Sequence, residues 1–333
     1  MLRTLLSILL LSGSALALAD SSLTEAEQAR VIDGALARIR ETYLETGDIE
    51  RIEAGIRSKA AKGEYRAAAT PEAFATQLQE DLRKVSGDPH FFMSYIAGEI
   101  PPLPTSMKPR PEPDAQRQAR FQSDAVLRNN GFKRVERLDD NVGVIVLTSV
   151  FPAEQMPENA AAAMTFLKNT SALVLDLREV RGGDPGGVVH LRSYFVDGRI
   201  HAYDFVGRKS EDTMEYFTDA TTPGPRYAPN KPVFVLTSSR TFSGGEAMTD
   251  AMRTWRHAKV IGERTKGGAN SALPVKATDH FVVVVPFMKT VNLLTGKNWN
   301  GTGIEPDVAV PAEKALDTAR QLALGATQTQ RER

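Results

Sequence analysis

Cysteine is absent from the 333-residue sequence. That excludes disulfides, thiol catalysis and cysteine-ligated metal. Net charge is absent too: 41 basic residues balance 41 acidic ones, which gives no electrostatic reason for nucleic acid or an anionic membrane surface as a partner. Histidine is sparse and scattered, at His90, His190, His201, His257 and His280, and no cluster has metal-ligand spacing. No metal or cofactor is therefore implied. Long apolar runs are missing beyond the first residues. There, Arg3, the stretch Leu5 to Leu11 and the small residues Ala17-Leu18-Ala19 before Asp20 have the order of a secretory signal, too short for a comfortable membrane span. The expectation is a periplasmic or secreted protein with no integral membrane segment once residues 1–19 are removed.

What remains has an ordinary globular composition, 41% hydrophobic and 25% charged. Residues 20–99 predict a small N-terminal helical domain. Thr24 caps a helix through Tyr43, Ile49 to Ala61 forms a second, and Thr70-Pro71-Glu72 opens a third. Residues 100–115 are a Pro-rich linker. From 116 to 315, apolar β-branched runs alternate with helical stretches, the pattern of an α/β core with a mainly parallel sheet. Its strands are expected at Phe132–Val135, Val142–Leu147, Ala172–Leu177, Val233–Thr237, Lys259–Ile261 and Phe281–Val285, with helices at Pro157–Lys168 and Val188–Phe195. Residues 316–333 predict a C-terminal amphipathic helix and, from Thr327, a disordered polar tail.

The stretch from Lys231 to Asn270 organises the rest. The strand Val233–Thr237 runs into Ser243-Gly244-Gly245-Glu246 and then a helical pattern. A serine between a strand and a helix start lies beside unpaired backbone N–H groups and the positive end of the helix dipole. Such donors can hold the oxyanion formed when a nucleophile attacks a carbonyl. Ser-x-x-Glu is equally the capping box of an ordinary helix, and Thr-Phe-Ser-Gly-Gly is not the Gly-x-Ser-x-Gly elbow. The loop Arg181-Gly182-Gly183-Asp184-Pro185-Gly186-Gly187 follows a strand but lacks the spacing of a nucleotide-binding fingerprint. Its glycines let backbone N–H groups approach a substrate.

Four segments together resemble one family: SGDPH, DLREVRGGDPGG, TSSRTFSGGEA with the downstream VIGERTKGGAN, and NWNGTGIEPD. They resemble the tail-specific, or C-terminal processing, serine peptidases, in the branch of interphotoreceptor retinoid-binding protein and the tricorn core. The resemblance implies a crotonase/Clp-protease-like α/β core. No segment from Pro101 to Asn169 is long enough for the family's usual PDZ domain. It makes Ser243 the nucleophile. Where the tail-specific branch pairs that serine with a Lys, this chain has Gly268, and Lys266 stands two residues early. His90, in Asp88-Pro89-His90, is then the expected general base and Lys266 is not.

The resemblance calls for Glu at position 300, and the residue is Asn300. An amide carbonyl can orient His90, but it brings no charge to the imidazolium. A Glu at 300 is therefore expected to raise the rate, unless Glu305 or Asp307 already supplies the charge. The oxyanion site falls to the N–H of Gly244 with that of Gly182 or Gly183. The expectation is an exported serine peptidase acting on peptide or protein substrates, with homo-oligomers left open. The alternative is a binding protein of the same fold for an apolar ligand or peptide, without hydrolysis.

Overall fold

A computed structural model describes residues 22–103, 122–209 and 212–331. The expected signal segment, most of the Pro-rich linker and the last two residues lie outside them.

Three helices come first: α1 (Glu25–Thr42), α2 (Ile49–Ala61) and α3 (Pro71–Ser86). Thr24 accepts the Glu27 N–H and Glu27 reaches back to Thr24, a reciprocal cap. Thr70 caps α3 ahead of Pro71, and Gly87, at φ 75°, ends it. The strands follow as β1 (Phe92–Tyr95), β2 (Phe132–Arg137), β3 (Val142–Leu147), β4 (Ala172–Asp176), β5 (His201–Val206), β6 (Met214–Phe217), β7 (Val233–Thr237), β8 (Lys259–Gly262), β9 (Asn270–Lys276), β10 (Phe281–Val291) and β11 (Val308–Ala309). Helices α4 (Pro157–Leu167), α5 (Pro185–Arg192), α6 (Gly244–Arg256) and α7 (Ala315–Arg331) alternate with the later strands.

The strands form two sheets. One has six strands in the order β11-β8-β7-β4-β3-β2, parallel throughout except where β2 meets β3. Its strands alternate sides with period two. Ile145, Leu173, Leu175 and Val235 face a core shared with α4, α5 and α6. Val144, Val174, Phe234 and Leu236 face Ala315, Ala319 and Ala323, one stripe of α7.

The second sheet has five strands and is antiparallel: β1, β9 and β5 pair with β10, and β6 with β5. The expectation of a mainly parallel sheet therefore fits only the first sheet. The helices α1 to α3 share one apolar core with β1 and β10, through Ile39, Ile52, Phe74, Phe91, Phe281 and Val283.

Two further expectations need correction. Helix α5 begins at Pro185 rather than Val188, with Asp184 accepting the Gly187 N–H as its cap. Helix α7 continues to Arg331, through most of the segment expected to be a disordered tail. No Gly or Pro follows Gly325 to stop it.

Candidate active site

The carboxyl ends of β4 and β7 lie side by side and carry the glycine loop and Ser243. The turn after β7 is stitched to the end of β4. Thr241 Oγ1 donates to Leu177 O, Ser238 Oγ donates to Arg178 O, and the Phe242 N–H donates to Val180 O at 2.9 Å. Ser243 is thereby set against Gly182 and Gly183. A Cβ added to Gly182 would lie 3.9 Å from Ser243 Cβ, and one on Gly244 would lie 3.0 Å from Gly183 N. Gly182 and Gly183 have φ of 144° and 155°, which L side chains rarely adopt. The N–H groups of Gly183 and Gly244 donate to no protein acceptor among the described residues.

Ser243 itself has φ 50° and ψ −111°. An ordinary N-cap is extended, and a positive φ on a non-glycine costs on the order of 1–3 kcal/mol and persists only where its surroundings impose it. Glu246 imposes it here. Its carboxylate is completely buried and accepts the Ser243 N–H at 2.8 Å, the Gly267 and Gly268 N–H groups at 2.7 Å each, and the Thr265 hydroxyl. Burial pushes the Glu246 carboxyl above its ordinary range, more than those four donors pull it down. The Ser-x-x-Glu pattern is thus more than a helix cap, because Glu246 also fastens the loop that ends beside His90.

His90 follows the turn that ends α3. Its ring is buried and packs on Phe242, with centroids 4.6 Å apart and planes at 34°. Neither ring nitrogen has a hydrogen-bond partner. His90 and Ser243 line one cavity of about 250 Å³, together with Gly183, Gly244, Phe92, Tyr203 and Phe205. A general base must come within reach of its nucleophile's proton; here the two side chains share the cavity and no hydrogen bond joins them.

Asn300 does not touch His90 through a hydrogen bond, contrary to the role expected for it. Its Oδ1 accepts the Ala269 N–H and its Nδ2 donates to Asp88 Oδ2, each at 3.2 Å. Trp299 holds this loop in place by donating its indole N–H to Gly268 O at 2.9 Å. The other two expected acids are engaged elsewhere: Glu305 pairs with Arg264, while Asp307 accepts the Val260 N–H and faces Arg253. The acid beside His90 is Asp88, which the sequence reading left without a role. Its carboxylate is buried, with Oδ1 3.6 Å from His90 Nδ1. Oδ1 also accepts the His90 backbone N–H at 2.9 Å, and Oδ2 accepts Asn270 Nδ2 at 2.7 Å. Burial pushes the Asp88 carboxyl up, but the His90 ring and backbone and the Asn270 amide outweigh it and hold the group below its ordinary range.

Lys266 has its ammonium 5.1 Å from the centroid of Phe242 and does not line the cavity. Burial, with Arg83 and Arg181, pushes it below the ordinary lysine range, the direction a lysine base requires. Its position, not its titration, argues against that role.

A model of peptidase family S41 matches residues 141–310, more than half of the chain. The chain belongs to peptidase family S41. A second model, the N-terminal domain of S41 peptidases in eukaryotic IRBP, matches residues 14–127. The S41 match therefore contains Ser243, the glycine loop and Asn300, and the N-terminal match contains Asp88 and His90. The carboxy-terminal processing protease CtpB of Bacillus subtilis is 26% identical over 175 residues, covering 51% of this chain and 34% of that protein. The chain thus spans about a third of the length of the curated relatives it matches. Among solved structures, a lipoprotein from Streptococcus agalactiae superposes with a TM-score of 0.57 at 14% identity, covering 89% of this chain and 96% of that one. The tricorn protease superposes with a TM-score of 0.55 at 13% identity, covering 91% of this chain and 37% of that one. Both likenesses are of fold.

Proposed function

We propose that this S41 chain is an exported serine peptidase, with Ser243 as nucleophile and His90 as general base. Ser243 Oγ bonds to the scissile carbonyl carbon while its proton passes to a His90 ring nitrogen. The oxyanion lies between the N–H groups of Gly244 and Gly183. His90 returns the proton to the amine nitrogen as the C–N bond breaks, and water then releases the acyl group from Ser243 with the same ring as base. The observation that carries this reading is the convergence, in one cavity, of a serine in a strained backbone conformation, two unpaired N–H groups and a buried imidazole with both nitrogens free. Backbone strain of this kind collects at functional sites.

The second reading is a protein of the same fold that binds an apolar ligand or peptide without hydrolysis. It is favoured by the missing hydrogen bond between His90 and Ser243 and by the apolar wall of Phe92, Phe205 and Val284. The test is release from a panel of fluorogenic peptides by the full chain and by Ser243→Ala. Turnover lost in Ser243→Ala supports the peptidase. Binding of the same peptides by both chains, with turnover by neither, supports the second reading.

A further inference from the structure

We propose that Asp88 is the positioning residue of His90, supplying the negative charge that Asn300 cannot. The proposal rests on the reading of Ser243 and His90 as nucleophile and base. Asp88 and His90 are two residues apart, and the Asp88 Oδ1 that accepts the His90 backbone N–H is the oxygen facing His90 Nδ1, 3.6 Å away. One carboxylate oxygen therefore holds the main chain of the base by a hydrogen bond and faces its ring at ion-pair distance. The other oxygen, Oδ2, is held by the amides of Asn270 and Asn300. Those donors are neutral, so they anchor the carboxylate without cancelling its charge. His90 is the only cation-forming side chain within ion-pair distance of Asp88 among the described residues.

Position 300 thus keeps a part in the site with its polarity reversed. In place of an acid acting on the histidine, Asn300 is an amide clamping the acid that does. With Nδ1–H facing Asp88, the lone pair of Nε2 is left to take the Ser243 proton. The ring then carries the positive charge, Nδ1–H still faces Asp88, and Asp88 stays ionised throughout, as in other triads.

The arrangement requires one tautomer. In the full chain carrying Ser243→Ala, ¹⁵N NMR of the His90 ring at neutral pH should show the proton on Nδ1, and finding it on Nε2 would overturn the proposal. In the same background, Asp88→Asn should shift the ring toward the Nε2–H tautomer, because the carboxylate that faces Nδ1–H is gone. With Ser243 restored, Asp88→Asn should lower kcat about 10³–10⁴-fold, with KM changed far less. Asp88→Glu should recover part of that loss. A folded Asp88→Asn chain with an unmoved His90 tautomer and kcat within tenfold of wild type also overturns it. The NMR measurements need no turnover. A wild-type chain without Ser243-dependent hydrolysis would sink the peptidase reading, while the tautomer, with and without Asp88, would still decide the Asp88–His90 pairing.

Discussion

The imidazole of His90 stands where a side chain at position 268 would have to go. A Cβ on Gly268 would lie 2.6 Å from His90 Cε1 and 2.1 Å from Phe242 Cε2. A lysine at 268 and a histidine at 90 therefore exclude one another in this structure, and the chain has the histidine. We expect Gly268→Lys to lose activity rather than gain a Ser-Lys pair. Gly268→Ala alone should cost about 1–3 kcal/mol by overpacking and displace the His90 ring. Thermal melts and kcat of both variants, with Ser243→Ala as blank, check this; Gly268→Ala with wild-type turnover would show that the ring has room to move.

Glu246 is expected to be the most costly single site to truncate. Glu246→Ala leaves three backbone N–H groups and the Thr265 hydroxyl without their acceptor in a buried place. The loss should be on the order of 3 kcal/mol or more in denaturant unfolding, because each buried unpaired donor costs about 1–3 kcal/mol. Turnover should fall roughly 100-fold even where the chain stays folded, since Ser243 is no longer held in place. A well-folded, fully active Glu246→Ala would remove Glu246 from the site.

Asn300→Glu should slow the enzyme. Sequence alone favours the opposite outcome unless another acid serves, and the structure supplies that acid in Asp88, to which Asn300 Nδ2 donates. A carboxylate at 300 would face a buried carboxylate, which destabilises both charges. Asn300→Ala should cost less, about tenfold or under, since Asn270 still holds Asp88. Faster peptide hydrolysis by Asn300→Glu would contradict this account of the site.

Asp88 and Glu246 should give opposite pH slopes to stability. The Asp88 carboxyl is depressed in the fold, so its contribution is full above the unfolded value of about 3.9 and is lost as pH falls through the folded value. The Glu246 carboxyl is raised, so its contribution is full below about 4.3 and is lost as pH rises through the folded value. Asp88→Asn should flatten the acid side of the unfolding curve below about pH 4, and Glu246→Gln the segment above it. Chemical denaturation across that range reads both; unchanged slopes in the two variants would refute the assignment.

Much of this was legible in the chain, and the failures have physical causes. The bounds of α2 and β7 follow directly from their apolar patterns, and the starts of α1 and α3 from Thr24 and Thr70. β10 looked half as long because Pro286 interrupts it; the sheet absorbs the proline with a register shift between Pro286 and Met288. β9 has its own proline, Pro274, and β5 a charged Asp204, so neither shows a clean apolar run. Ser243 and His90 could be singled out because each sits in a local motif. Asp88 stands in the same motif as His90, but its burial and its clamping by Asn270 and Asn300, about 200 residues away, arise only on folding.

Whether His90 activates Ser243 as a nucleophile can be read with a fluorophosphonate probe. The rate of covalent modification would be followed by mass spectrometry of the intact chain and its peptides, for wild type, Lys266→Ala and His90→Ala. We expect a single adduct on the peptide containing Ser243, a rate nearly unchanged in Lys266→Ala, and a loss of about 10³-fold or more in His90→Ala. No adduct on Ser243, or an adduct forming as fast without His90 as with it, would show that His90 does not activate Ser243.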